Sequence, residues 1–352
     1  MYHLRLKGSH YEAGFKRGMI FKKNGVTFPI KLDEFQLSYG KEAGLELLKY
    51  FPKGYEEIKG ITDALKIDHE TFLSWMMCMG CCMYNLEYNI PEIRGCTAFA
   101  YTHQGKTYYG RNNDLPPYLE KGSKAELYNL DNTTKFYITT SSFVNGEEGL
   151  NEYGFAVAMT FVATALHDIN PGLNSVFIVR YLLEKAKTTH EAITLLYKIP
   201  IASNCNILLA DKSGDIAVAE LSPNKIHIRN PLIDSQGNKY ISTTNEFTSI
   251  EMKHLESKDE TFNSTLRYEV SMNALSNLKE HDDSIKYIKE LLKGNLGFMC
   301  QYNKKDNFKT VWSSIFELNT LLIHRAEGDP RRNKIKMDLR LSKLVNKDIF
   351  EV

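Results

Sequence analysis

The chain has 352 residues, 43% of them hydrophobic, with 44 basic and 43 acidic side chains and a formal charge of +1. That is enough apolar material for one large core or two ordinary ones, and the balanced charge argues against nucleic acid, membrane or an acidic macromolecule as partner. Six cysteines are too sparse for a disulfide framework. No apolar run approaches the roughly 18 to 20 residues of a membrane span. The opening MYHLRLKGSHYEAG also lacks the basic-then-apolar plan of a secretory signal, so a cytoplasmic location is expected.

The opening stretch, to about residue 90, reads as helical. Ser9-His-Tyr-Glu12 has the form of a capping box. From Pro52, Tyr55, Ile58, Ile61 and Leu65 fall at helical spacing. Asp68-His-Glu-Thr71 caps a further apolar helix running to Tyr84, and Pro91 breaks the chain after it. From Cys96 the pattern changes: CTAFAY, a His-Gln-Gly-Lys turn and TYYGRN form a predicted β-hairpin. KFYITTS, GFAVAMTF, NILLA, IAVAEL, KYISTTN, TVWSSIFEL and TLLIHRA are further strands, with turns such as Asp211-Lys-Ser-Gly214 between them. Helical stretches interrupt them at 175–197, where Thr188 caps a second helix, and at 260–293. No internal repeat, low-complexity tract or flexible linker is present, and the order of elements predicts an α+β protein with helices covering antiparallel sheets.

Cys96 follows a glycine at the start of a predicted strand, in Arg94-Gly95-Cys96-Thr97. Glycine adopts backbone geometries closed to other residues, which suits a thiol that must attack the carbonyl before it. That attack and hydrolysis would free the α-amine of Cys96. An α-amine titrates at about 7.7–8.0 and can act as general base beside its own thiol. Taken alone, a cysteine opening a strand is more often a buried structural thiol. Tyr109-Gly-Arg-Asn-Asn-Asp114 lies on the return strand, where pairing can bring Arg111 and Asp114 to Cys96. Arg111 would favour the thiolate, and an Arg/Asp pair could hold substrate polar groups, although taken alone the same pair reads more readily as a surface ion pair.

These residues resemble a known family. Gly95-Cys96-Thr97 followed by Gly110-Arg111-Asn112-Asn113-Asp114 looks like the mature start of choloylglycine hydrolases, the group of bile salt hydrolases and penicillin V acylases. Glu12, Gly14 and Gly18, with Pro52-Lys-Gly-Tyr-Glu-Glu-Ile-Lys-Gly60, resemble the pro-segment of acyl-coenzyme A:6-aminopenicillanic acid acyltransferases. The resemblance implies a four-layer αββα N-terminal-nucleophile hydrolase fold with a helical pro-segment. Residues 1–95 would be the small chain after self-cleavage between Gly95 and Cys96, and 96–352 the catalytic large chain. It implies Cys96 as nucleophile, Asp114 on the freed amine and Arg111 as the active-site arginine of the hydrolase branch. Asn245 of Thr244-Asn245 would donate to the oxyanion, with Thr160 near a second oxyanion position. Arg267 would support the centre, and Asn151, in Gly149-Leu-Asn-Glu-Tyr-Gly154, would bind substrate. Each has a plainer reading: Asn245 and Asn151 as turn residues, Arg267 as a helix-surface charge.

Other signals carry less. Cys78-Met-Gly-Cys81-Cys82 sits among Trp75 and four methionines with no second cluster at zinc spacing, and reads as core. His103 falls at the hairpin tip, Gly149-x-x-x-x-Gly154 lacks the Lys-Ser/Thr of a phosphate loop, and the basic run from Pro330 reads as turn and solvated face. The expected function is hydrolysis of a linear amide in a small N-acyl compound through an acyl-thioester. The close alternative is acyl transfer to an amine, with acyl-coenzyme A as donor; hydrolysis itself needs no cofactor or metal. The cleaved N-terminal segment is the expected retained partner, and homo-oligomerisation stays open. A papain-like protease, which would set its cysteine at a helix N-terminus, and a non-catalytic binding protein are the rivals from other classes.

Overall fold

The computed structural model describes residues 1–28, 30–83, 95–257, 263–300, 302–303 and 308–346. It begins with a strand, β1 (Tyr2–Gly8), before helices α1 (His10–Lys23), α2 (Glu34–Tyr50), α3 (Pro52–Leu65) and α4 (His69–Cys78). The opening segment is thus not purely helical. The predicted capping box is present: Ser9 and Glu12 satisfy each other's backbone N–H groups. Asp68 caps α4, which stops at Cys78, short of the predicted end; Tyr84, Pro91 and Arg94 lie outside the described residues. α1 and α3 touch backbone to backbone. A Cβ on Gly14 would fall 1.9 Å from Glu57 O, and one on Gly60 2.2 Å from Tyr11 O, so these two glycines set the helix spacing.

Then follow β2 (Gly95–His103), β3 (Lys106–Leu115), α5 (Tyr118–Gly122), β4 (Lys124–Leu130), β5 (Phe136–Thr140), β6 (Glu148–Asn151) and β7 (Phe155–Phe161). After these come α6 (Ser175–Lys185), α7 (Thr189–Leu196), β8 (Cys205–Asp211), β9 (Ile216–Ser222), β10 (Lys225–Arg229), β11 (Leu232–Ile233) and β12 (Lys239–Thr243). The chain continues through α8 (Ile250–Lys253), α9 (Ser264–Asn277), α10 (Ser284–Leu292), β13 (Tyr302–Asn303), β14 (Phe308–Glu317), β15 (Leu322–Glu327), β16 (Lys336–Asp338) and α11 (Arg340–Val345). The β2–β3 hairpin turns at Gln104 and Gly105, both at positive φ, the geometry that matches strand twist.

Two eight-stranded sheets result, ordered β1-β4-β5-β6-β7-β8-β9-β10 and β11-β12-β2-β3-β14-β15-β16, the second with β13 beside β14. Strand alternation assigns each residue to a layer. Ala98, Ala100, Tyr109, Ala156, Ala158, Leu208 and Ile241 pack together between the sheets. Their neighbours Phe99, Tyr101 and Tyr108 pack instead against Leu275, Leu278, Ile288 and Leu292 of the α9–α10 side. Val157, Met159 and Ile207 face α6 and the N-terminal helices on the other side. The layers are therefore helix, sheet, sheet, helix, as expected. The N-terminal segment belongs to this stack twice over, through its helices and through β1, which pairs in parallel with β4. Among the described residues, no helix is long and apolar enough to cross a membrane.

A buried charge cluster ties that segment to the rest. Arg17 of α1 forks onto both oxygens of Glu126 on β4 at 2.8 Å each. Glu57 of α3 receives Arg180 of α6 at 2.9 Å, and Arg180 Nε also donates to Glu184 at 2.9 Å. His10 lies 3.1 Å from each Glu184 oxygen. Charges of this kind persist in a core only when paired.

Candidate active site

Cys96 is the second residue of β2 and shares the inter-sheet face with Ala98 and Ala100. Gly95 before it lies in the same strand. Across the hairpin Cys96 pairs with Asn113 and Gly95 with Asp114. Period-2 alternation then puts Arg111 and Asn113 on the thiol's face and Asn112 and Asp114 on the helix-covered face.

The side chains follow this rule. Arg111 Nη2 donates to Cys96 Sγ at 3.0 Å, and Arg111 Nε donates to Asn113 Oδ1 at 3.1 Å. The thiol donates to Asn113 Oδ1 at 3.2 Å. Arg111 Nη1 crosses the gap to the carbonyl of Met159 on β7. Burial pushes the thiol up; Arg111 and Arg267 pull against this while Asp114 and Glu147 add to it, and the sum lies above the ordinary cysteine value.

A second grip acts on the backbone of Cys96. Its N–H donates to Asn245 Oδ1 at 2.8 Å, and Arg267 Nη2 donates to the same oxygen at 2.8 Å. Two donors on one atom fix the orientation of the amide. Asn245 Nδ2 gives one hydrogen to Phe161 O at 2.9 Å. From α9, Arg267 Nη1 also reaches Cys96 O and, at 2.9 Å, Thr97 Oγ1. Cys96, Arg111, Asn245 and Arg267 thus converge, from a hairpin, the end of β12 and α9.

Asp114 is buried one residue from this face, where Thr310 Oγ1 of β14 donates to Asp114 Oδ1 at 2.5 Å. Thr160 sits between the sheets, but its hydroxyl is directed at Thr244 O, and Asn206 Nδ2 donates to it at 3.2 Å. It therefore braces the Thr244–Asn245 step; the carbonyls flanking it, Met159 and Phe161, are what meet Arg111 and Asn245. Asn151 does not belong to the site. It faces the α6 side, donating to Leu183 O and Ala186 O at 3.2 and 2.8 Å, while its Oδ1 accepts from Tyr153 N and Phe155 N. Among the described residues its hydrogen bonds all go to backbone, the pattern of the plainer turn reading.

Two residues escaped the sequence reading. Asn113 stands inside the quoted motif, and alternation from Arg111 would have found it. Glu148 on β6 is buried between the sheets and accepts Tyr109 Oη at 2.6 Å, Trp312 Nε1 at 2.9 Å and Ser314 Oγ at 2.7 Å. Ser314 is the cross-strand partner of Arg111, so this carboxylate lies beside the guanidinium. No local sequence pattern marks it.

The family of the acyl-coenzyme A:6-aminopenicillanic acid acyl-transferase matches residues 101–332, a span that begins after Cys96 and includes Arg111, Asp114, Asn245 and Arg267. Among solved structures, a variant of the conjugated bile acid hydrolase from Clostridium perfringens aligns with a TM-score of 0.51 at 13% identity, covering 70% of this chain and 94% of that one. Penicillin V acylase from Agrobacterium tumefaciens aligns with a TM-score of 0.46 at 16% identity, covering 66% and 83%. The first of these likenesses places the four layers in the N-terminal-nucleophile hydrolase fold. No curated relative matches.

Proposed function

The chain belongs to the acyl-coenzyme A:6-aminopenicillanic acid acyl-transferase family, and from that premise we propose that it is a cysteine N-terminal-nucleophile enzyme that cuts itself between Gly95 and Cys96 and then cleaves the linear amide of a small N-acyl compound. The observation that carries this reading is the double hold on Cys96: Arg111 on Sγ at 3.0 Å and Asn245 Oδ1 on the backbone nitrogen at 2.8 Å. Both atoms that an N-terminal nucleophile needs are already fixed.

In self-cleavage Sγ attacks the Gly95 carbonyl, the C–N bond breaks, and the thiol proton passes to the departing nitrogen of Cys96. Water hydrolyses the Gly95 thioester. The new amine stays on Asn245 Oδ1 through an N–H and keeps its lone pair free to accept the thiol proton. In turnover the thiolate, held by Arg111, attacks the substrate carbonyl, and the leaving amine takes the proton from the α-ammonium. Asn245 Nδ2 is available to the oxyanion, and a donor of this kind contributes about 3–4 kcal/mol. Water then releases the acid. Residues 1–95 stay bound as the small chain, through β1 and the Arg17–Glu57–Arg180 cluster.

Family membership favours a second reading of the last half-reaction, in which an amine takes the acyl group from the thioester and acyl-coenzyme A supplies it. Thioester consumption that requires added amine would select transfer. Intact-mass spectrometry of the protein beside Cys96→Ala tests the shared premise. Two fragments meeting at Gly95/Cys96 in the wild type and one chain in the variant are expected; a single chain in both, with no acylation of Cys96 by an activated ester, leaves a binding protein on this fold.

A further inference from the structure

Asn113 carries a buried polar group with no partner. It is fully buried, and its Nδ2 meets no acceptor among the described residues. Leaving such a donor unpaired costs about 1–3 kcal/mol, and native interiors contain few of them. The amide is not free to turn and repair this. Arg111 presents two N–H groups, Nε and Nη2, to Oδ1, and the Cys96 thiol presents a third donor. A flipped amide would set its NH2 against the guanidinium. The orphaned hydrogens are therefore locked in place beside the nucleophile.

Resting on the proposed nucleophile, we infer that Asn113 Nδ2 is an oxyanion donor, which hydrogen-bonds the carbonyl oxygen of the acyl group as Cys96 attacks it. The reach is sufficient. Oδ1 lies 3.2 Å from Sγ, and the amide nitrogen is about 2.3 Å from its oxygen by amide geometry, so Nδ2 stands within roughly 5.5 Å of sulfur. With the usual bent approach at Oδ1 the S–N separation is nearer about 4.8 Å, so an oxyanion about 2.7 Å from sulfur can sit to the side of Oδ1, within the 2.7–3.1 Å that a useful donor requires. The oxygen thus comes to a group that is already dehydrated and oriented, and the unmet hydrogen bond of the resting protein is met only when charge develops. Asn245 Nδ2, with one hydrogen on Phe161 O, would be the second donor.

The test compares two reactions of the same sulfur. Acylation by p-nitrophenyl acetate develops an oxyanion; alkylation by iodoacetamide does not. In Asn113→Leu, acylation of Cys96 falls about 100-fold or more relative to alkylation, while the melting temperature falls because the buried Arg111 Nε loses its acceptor; the ratio of the two reactions, taken on folded protein, is the readout. Asn113→Ala, read by the same ratio, serves if the leucine variant does not fold. A ratio unchanged in the variants, beside a wild type that is cut and acylated, overturns the role of Asn113 alone. A wild type whose Cys96 is neither exposed by cleavage nor acylated overturns the nucleophile and this inference together.

Discussion

Two buried arginine centres, built from similar parts, do different work. Around Arg17 and Arg180 the cations meet carboxylates directly: Glu126, Glu57 and Glu184, at 2.8–2.9 Å. Around Arg111 the guanidinium meets a thiol, an amide oxygen and a carbonyl, and the nearby carboxylate, Glu148, is occupied by Tyr109, Trp312 and Ser314. The first centre consumes its charge in holding two segments together. The second leaves its charge directed at sulfur. A buried arginine therefore points to a role only through its partners, which are carboxylates in one centre and a thiol with amide oxygens in the other.

The largest effect should come from breaking the first centre. Glu57→Ala leaves Arg180 and Arg17 short of a buried partner, and denaturant titration should show a loss of about 3–5 kcal/mol, with the iodoacetamide reactivity of Cys96 in the folded protein unchanged. Acid should loosen the same place. Burial pushes the Glu184 carboxyl up, but Arg180 and His10 outweigh it and hold it at about 2. A folded value below the unfolded one, about 4.3, gives stability that is full above that pH and is lost as pH falls toward about 2. Denaturation midpoints measured down this window should drop, and Glu184→Gln should flatten the drop.

Arg111→Met is the converse, with a smaller expected size. Removing the cation leaves burial to raise the thiol further. Alkylation of Cys96 at pH 7 should slow by about 100-fold, with the two rates converging at high pH as both thiols ionise. Equal rates at pH 7 would show that the guanidinium does not govern the sulfur. Thr310→Val should do least, slowing the proposed self-cleavage about tenfold, about 1.4 kcal/mol, by removing one hydrogen bond from the Asp114 carboxylate, whose residue pairs with Gly95. Thr310→Ser should restore it, and full-speed cleavage in the valine variant would make that hydroxyl a packing group.

Much of this was legible in advance. Motifs with local causes were read well: the Ser9–Glu12 box and the hairpin that carries Cys96, Arg111 and Asp114; Gly14 and Gly60 entered only through family resemblance, and their close helix contact was not foreseen. The convergence of Asn245 and Arg267 came from family resemblance, since their contacts with Cys96 span 149 and 171 positions. β1 was missed because only Leu6 of its seven residues is buried, and its partner begins at Lys124. Asn151 was misplaced because a turn asparagine and a ligand asparagine look alike until the strand's face is known. Thr160 stood in the right layer, but whether a hydroxyl serves substrate or a neighbouring carbonyl is decided by atoms that no linear pattern reports.

The pairing of β1 with β4 has a consequence for how the molecule can be made. Seven residues of β1 run in register with Lys124–Leu130 and complete one border of their sheet. Synthesised without them, residues 96–352 would display that border as an open row of amides and carbonyls, the template on which strands from other chains add. The leading segment is then a chaperone in cis for the sheet it joins. Production of residues 96–352 alone should yield aggregates that co-expressed residues 1–95 prevent, whether or not Cys96 reacts.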